Sequence, residues 1–423
     1  MRILTSLIAL LALFPFVSRA SAGPALSGAS LPPSVVFAAP APPPPPSKEW
    51  TVMFFVNGKN NLETSALTDV NHLEQLGTTP AVNITVELGR MKGLQEGDDA
   101  SDGDWTGVRR YLITRDTDAA HIASRPLDVR EKADMGDWKE LADFISWSKR
   151  NFPAKRYMLL IWDHGNGWKP LKPDGKPGIG VEKSISLDDE TGHEISITRV
   201  KDALLQTGGV HLLMADACLM QMASVAYELK DQAEVMVGSE ESEPGVVERY
   251  VRFLSALDAE PSQTTEAFAA EIVRSYRDYF QSAGYPKDMQ VTQSALRLKK
   301  MTGLRERLDA WARLALYAGE KDLLRTAKDN CKKYDDADYK DLHHFISLVT
   351  EGTRNKALRD AGRSVLDHLT GEVVAENWAM GPDSRGLSIY LPETYSPLYD
   401  DLSWSKDGLW DDFAKFLSSP AAI

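Results

Sequence analysis

Cysteine is almost absent from this sequence: two thiols, Cys218 and Cys331, in 423 residues. A disulfide-stapled scaffold is thereby excluded, although a single bridge between the two stays open in an oxidising compartment. Long apolar runs are also lacking. After the first 22 residues no stretch approaches the roughly 20 apolar residues that span a bilayer, so stable membrane insertion is not expected. Positive charge is short too: 48 Lys and Arg stand against 61 Asp and Glu, a formal net charge of −13. That balance argues against nucleic acid as a partner and suits cationic ligands, or solubility alone. Among the eight histidines there is no HExxH, and His343-His344 are adjacent rather than one helical turn apart, which weakens a metal-hydrolase reading. No internal repeat is visible.

What is present begins with an export signal. Arg2 gives a positive start, Ile3–Val17 is mostly apolar, and Ala20-Ser21-Ala22 is a small-x-small cleavage pattern. Residues 1–22 are therefore expected to be removed on export to the periplasm or the exterior. Residues 23–47 are Pro- and Ala-rich, end in PAPPPPPS, and read as an extended leader or linker.

From Lys48 to about residue 250 short apolar runs alternate with amphipathic stretches, the mark of an α/β sheet with helices on its faces. Trp50–Val56, Val82–Leu88, Gly107–Ile113, Tyr157–Trp162, His211–Ala215 and Glu234–Gly238 read as strands. Asn61 is placed to cap a helix reaching Leu76, and Asp137–Arg150 is amphipathic with Trp138, Leu141, Phe144 and Ile145 inward. A loop rich in Gly, Pro and Lys fills residues 166–194, long enough to suggest a function of its own. Residues 251–423 read as mainly helical, with late strands near 371–379 and 386–391 that either rejoin the sheet or build a small subdomain.

Two runs organise the rest: YMLLIWDHGNGW at Tyr157–Trp168 and HLLMADACLM at His211–Met220. Both read as buried parallel strands that stop on a chemical group, His164 and Cys218. Catalytic groups gather at the carboxyl ends of such strands, and neighbouring strands lie roughly 5 Å apart. If the two are neighbours, an imidazole and a thiol share one edge, the minimum for a thiol nucleophile with its base. The alternatives are a buried core thiol and a satisfied strand-end histidine. Gly165 would let backbone approach a substrate, and its N–H with that of Cys218 could hold an oxyanion. Asp216 shares a face with Cys218 in an extended chain, so it is a candidate acid for a Lys or Arg side chain, or else a supporting acid. Glu240, after the next strand, is a second candidate.

WDHGNGW, MADACLM and YELKDQAEVMVGSEESEPG together resemble the clostripain family of cysteine peptidases. MFFVNGKNNLE, the run from MGDW into the histidine, and SRGLSIYLPETY at Ser384–Tyr395 are similar as well, so the resemblance covers most of Trp50–Leu417. It implies a caspase-like, mostly parallel central sheet flanked by helices, a fold shared with gingipains, caspases and legumain. It implies His164 as general base and acid, Cys218 as nucleophile, and the Gly165 and Cys218 amides as oxyanion hole. It further implies polypeptide substrates with Arg or Lys before the cut, read by Asp216. A self-cut in the 166–194 loop, where Lys172, Lys176 and Lys183 are candidate points, and a response to calcium are implied for some members. No cofactor is required. Oxygen groups for calcium occur at Asp188-Asp189-Glu190 and Asp98–Asp104, without the spacing of a dedicated site.

Two positions depart from the family pattern: Lys59 precedes the Asn-Asn pair where an acid is common, and Gly89 follows Leu88 where an acid often closes the strand. The expectation is an exported cysteine endopeptidase. The alternative is a catalytically silent binding protein on the same scaffold.

Overall fold

The first strand dictates the architecture. KEWTVMFFVNG at Lys48–Gly58 is apolar on both faces, and its side chains divide by alternation between two separate cores. Met53 and Phe55 point into one, Trp50, Val52, Phe54 and Val56 into the other. A strand buried on both sides needs helices above and below, which is what parallel pairing through helical crossovers supplies.

The computed structural model describes residues 47–423 apart from 94–97, 171–184, 246–248, 287–288, 382 and 420–423. The expected signal and nearly all of the leader lie outside the described residues. In chain order the strands are β1 (Lys48–Gly58), β2 (Val82–Arg90), β3 (Gly107–Leu112), β4 (Pro126–Arg130), β5 (Ala154–Trp162), β6 (Ile185–Asp188), β7 (His193–Ile195), β8 (Leu212–Asp216), β9 (Val235–Gly238), β10 (Thr292–Arg297), β11 (Tyr339–Asp341), β12 (Val374–Ala379) and β13 (Ser388–Tyr390). Nine form one sheet, in the order β12-β10-β9-β8-β5-β1-β2-β3-β4. Its centre, β9-β8-β5-β1-β2, is parallel, and both flanks are antiparallel.

Helices α1 (Glu63–Leu73), α2 (Trp138–Asn151), α3 (Ile197–Thr207), α4 (Ala223–Glu228), α5 (Arg249–Ala259) and α6 (Thr265–Ser282) follow in sequence. One face of the sheet carries α1, α5 and α6, through Val70, Phe253 and Phe268 among others. The other carries α2, α3, α4 and the later helices, through Phe144, Val200, Trp311 and Phe345. Residues 46–423 form one compact unit. The two late strands part company. β12 joins the main sheet through β10, while β13 pairs with β11 in a separate two-stranded sheet. β10 itself does not read as a strand, because TQSALR is largely polar. Its polar groups are buried with partners: Ser294 Oγ donates to the Gly386 carbonyl at 2.7 Å, and Gln221 Nε2 donates to the Ser294 carbonyl at 2.8 Å.

At the carboxyl ends of β1 and β2 the two departures from the family pattern explain one another. Lys59 is fully buried, its ammonium 3.0 Å from Asp188, 2.5 Å from Glu190, and donating to the Ala133 carbonyl at 2.7 Å. Burial alone would lower its pKa, but Glu190 and Asp188 outweigh burial and raise it. A Cβ at Gly89 would lie 2.7 Å from Met135 Cγ and 3.0 Å from Lys59 Cγ, so glycine makes room for the lysine stem. Removing one partner of a buried ion pair strands the other. Lys59→Met should therefore lower stability by about 3–5 kcal/mol, read as a drop in the urea midpoint with an unchanged slope; an unaltered midpoint would remove this role.

Candidate active site

Register brings the two chemical groups together. β5 and β8 pair in parallel with Trp162 opposite Asp216 as the last matched residues, and the chain continues two positions past each to His164 and Cys218. Gly165 touches the cysteine turn so closely that a Cβ there would lie 2.7 Å from the Cys218 carbonyl oxygen and 2.8 Å from Ala217 Cβ. His164 and Cys218 line one cleft of about 250 Å³, with Leu62, Ser65, Trp162 and Pro244 around them.

The imidazole is held from the end of β1. His164 Nε2 lies 2.7 Å from Asn61 Oδ1. A carbonyl oxygen only accepts, so Nε2 carries the hydrogen and Nδ1 is the basic nitrogen of the neutral ring. Asn61 is thus not the expected helix cap. α1 begins after Leu62, whose N–H donates to Asn60 Oδ1 at 2.9 Å. Beneath the histidine, the Asp163 carboxylate accepts from Asn57 Nδ2 at 3.0 Å and Asn60 Nδ2 at 2.7 Å. Both amides also donate to the Leu187 carbonyl at 2.8 Å. Burial pushes the Asp163 carboxyl well above the ordinary carboxylate range, against hydrogen bonds from the His164 backbone and Asn60. Asn57, Asn60, Asn61 and Asp163 surround the histidine at positions that periodicity misses. The signal was their place at the carboxyl ends of adjacent strands.

The thiol sits in a strained turn. Leu219, directly after it, has φ +65°, in the left-handed region that disfavours side chains other than glycine. The turn is tied to the loop after β9: Leu219 N–H donates to the Glu241 carbonyl at 3.2 Å and Gln221 N–H to the Ser239 carbonyl at 2.9 Å. Cys218 Sγ accepts from Glu243 N–H at 3.2 Å. Burial pushes the Cys218 thiol up to about 11, with the Glu243 N–H opposing. Burial thus favours the neutral thiol over the thiolate. Cys331 Sγ is buried and donates to the Lys328 carbonyl at 3.2 Å; both cysteines are free, so the single-bridge option closes.

The two specificity acids differ from expectation. Asp216 lines the cleft but is not free. Its carboxylate accepts from Arg249 on one oxygen and from the Tyr250 hydroxyl on the other. Arg249 also reaches Glu243 Oε2 at 3.0 Å. Glu240 is outside the cleft: fully buried, it accepts from Gly386 N–H at 3.0 Å, and burial with neighbouring Asp341 raises its pKa. It is a buried acid bonded to the 384–386 segment and does not line the cleft, unlike Glu243 in the same loop. Lys172, Lys176 and Lys183 lie outside the described residues.

Most of the oxygen groups considered for calcium have protein partners. Asp188 and Glu190 already hold the Lys59 ammonium. In the other loop Asp104 pairs with Lys92 at 2.6 Å, Asp102 accepts from Ile122 N–H and Asp99 from Ser101 N–H. Among the described residues no three His, Cys, Asp or Glu side chains are grouped to hold a metal, and no helix is long and apolar enough to cross a membrane.

The model of the clostripain family matches residues 54–417. Clostripain of Hathewaya histolytica is 26% identical over 198 residues, which is 43% of this chain and only 36% of that protein. A secreted C11 cysteine protease from Bacteroides thetaiotaomicron, solved with an irreversible peptide inhibitor, superposes with a TM-score of 0.60 at 18% identity, covering 86% of this chain and 99% of the other. An inactive zymogen C11 protease from Parabacteroides distasonis gives 0.60 at 17% identity over the same shares. These two structures share the fold.

The raised thiol pKa has a sign that can be measured. Alkylation needs the thiolate, whose fraction grows about tenfold per pH unit below the pKa. The rate of Cys218 carboxamidomethylation by iodoacetamide should climb steadily from pH 6 to 9.5 without levelling; a plateau near pH 7 would mean a thiolate already formed.

Proposed function

Because the chain belongs to the clostripain family, we propose that it is a cysteine endopeptidase with Cys218 as nucleophile and His164 as acid–base partner. The observation that carries this reading is the β5–β8 register, which delivers both groups to one cleft edge. As Sγ attacks the carbonyl carbon of a peptide bond, His164 Nδ1 takes the thiol proton. The negative oxygen of the tetrahedral intermediate faces the Gly165 and Cys218 amides. His164 then gives its proton to the departing amine, leaving a thioester. Water, deprotonated by the imidazole, attacks that thioester and releases the new carboxyl group and the thiol. Asn61 holds Nε2 and so sets the tautomer in which Nδ1 is the basic nitrogen. A silent binding protein has no need of this arrangement, and the complete cleft favours catalysis.

Export after loss of residues 1–22, and a self-cut within residues 166–194, belong to the same reading. The secreted protease and the zymogen that share the fold support them. The expected preference for Arg or Lys before the cut belongs to the same reading: Asp216 lines the cleft with Cys218, its carboxylate paired in the resting structure with Arg249. Calcium is not part of it, since most of its candidate oxygens have protein partners.

Cys218→Ala and His164→Ala should each lower cleavage of a mixed peptide library by about a thousandfold or more, with circular dichroism unchanged; retained turnover in either variant would remove the dyad. Asn61→Ala should lower kcat roughly tenfold, the worth of one hydrogen bond, while leaving KM in place. Purified wild-type chain should show fragments by mass spectrometry that Cys218→Ala lacks. Identical masses in the two would mean no self-cut, and a cut after Lys172, Lys176 or Lys183 would mean that lysine enters the first subsite.

A further inference from the structure

A chain with a formal net charge of −13 nevertheless gathers three lysines where the helix Lys321–Asn330 ends. Lys333 and Lys340 face each other across an antiparallel bridge beside β11. Residues opposed in this way hold their Cβ atoms about 4.5–5.5 Å apart on one face, and like charges so placed repel. Lys340 is 5% exposed, and Lys328, in the last turn of the helix, is 4% exposed. Burial pushes the Lys340 ammonium below its ordinary range, and Lys328 and Lys333 push it further, against Cys331 and Glu393.

The neighbours do not balance these charges. Lys328 donates to the Pro392 carbonyl at 3.4 Å and stands 2.8 Å from Glu393 Oε1, whose side chain is 78% exposed. Among the described residues the side chains of Lys333 and Lys340 make no hydrogen bond or ion pair. Lys332 is turned away, 3.6 Å from Glu241 Oε2. Asp341, next to Lys340, points to the other face of β11 and accepts from the Tyr334 hydroxyl and the His344 and Arg385 N–H groups. The Cys331 thiol donates to the Lys328 carbonyl at 3.2 Å, and burial pushes it up to about 12, which favours its neutral form. Glu393 thus stands against three ammonium groups, and two positive charges are left over. A charge held from water without a partner is costly, so the arrangement calls for an anion.

We propose that Lys328, Lys333 and Lys340 form a binding site for a divalent oxyanion of the sulfate or phosphate type. None of the three lines the cleft of His164 and Cys218, so the site is independent of the peptidase reading. A dianion matches the two uncompensated charges, where chloride or a single carboxylate leaves one over. Its oxygens accept from several ammonium groups at once, in the strong, charge-assisted kind of hydrogen bond. Lys333 is exposed and gives an ion in solution a way in. Lys340 forms the desolvated floor, where attraction is least screened. A bound ion joins the end of the helix to β11, so occupancy adds to the stability of the fold.

The test uses the full purified chain, with sodium sulfate replacing sodium chloride at constant ionic strength, and reads both calorimetric binding and the urea midpoint. Wild type should bind a single sulfate, and sulfate at about ten times its dissociation constant should raise the midpoint. Lys340→Met relieves the buried repulsion. In chloride it should unfold at a midpoint no lower than wild type, and its sulfate affinity should fall by about tenfold or more, the worth of a charge-assisted hydrogen bond. Lys333→Gln, an exposed change, should weaken sulfate by about tenfold for the same reason and leave the chloride midpoint in place. No binding heat and no sulfate-dependent midpoint in wild type overturns the proposal. So does a sulfate effect of equal size in wild type and both variants, which would be general exclusion of the salt from the protein surface. A Lys340→Met midpoint well below wild type in chloride also overturns it, since the ammonium would then be a structural group with partners in the protein.

Discussion

The pairing of β5 with β8 is the constraint on which everything else depends. Two parallel strands in fixed register, each apolar on both faces, place their carboxyl ends side by side. A shift of one residue would turn every side chain of β8 to the opposite core and carry Cys218 away from His164. The register is held by the cores on either face, Leu213 and Ala215 on one side, Leu212 and Met214 on the other. Hydrophobic burial far from the sulfur thus sets the geometry of the chemistry.

Around that pair the structure spends its buried polar groups on position. Three asparagines at the end of β1 and one aspartate at the end of β5 hold the histidine and close the loop that carries β6. The turn after Cys218 is laced by main-chain hydrogen bonds to the loop after β9. Cys218 therefore sits at a junction of strand ends, the placement that a site needing tight geometry requires. Burial pushes the Cys218 thiol up to about 11, so the proposed attack calls on the histidine to take its proton.

The strands of the dyad were legible in the sequence because continuous apolar runs ending on His164 and Cys218 announce themselves locally. So were most helices, from periodicity, as in the amphipathic Asp137–Arg150 stretch that becomes α2. β10 was not, since burial of a polar strand depends on partners such as Gln221, 73 positions away. Asn61 looked like a cap because caps are local, yet its partner His164 is 103 positions distant. Arg249 shows the same limit: nothing in ERYVRF says that a helix start will fill the acid pair next to the nucleophile. Asp216 was recognised as an acid in the cleft, but its charge balance belongs to the fold and not to the motif.

The buried lysine at the end of the first strand and the glycine that shelters its stem are coupled. A side chain at 89 would crowd Lys59, and an acid at 59 would confront Asp188 and Glu190 with nothing to balance them. Either position changed alone therefore disturbs the other, and only a paired exchange could keep both the packing and the charge balance at these strand ends.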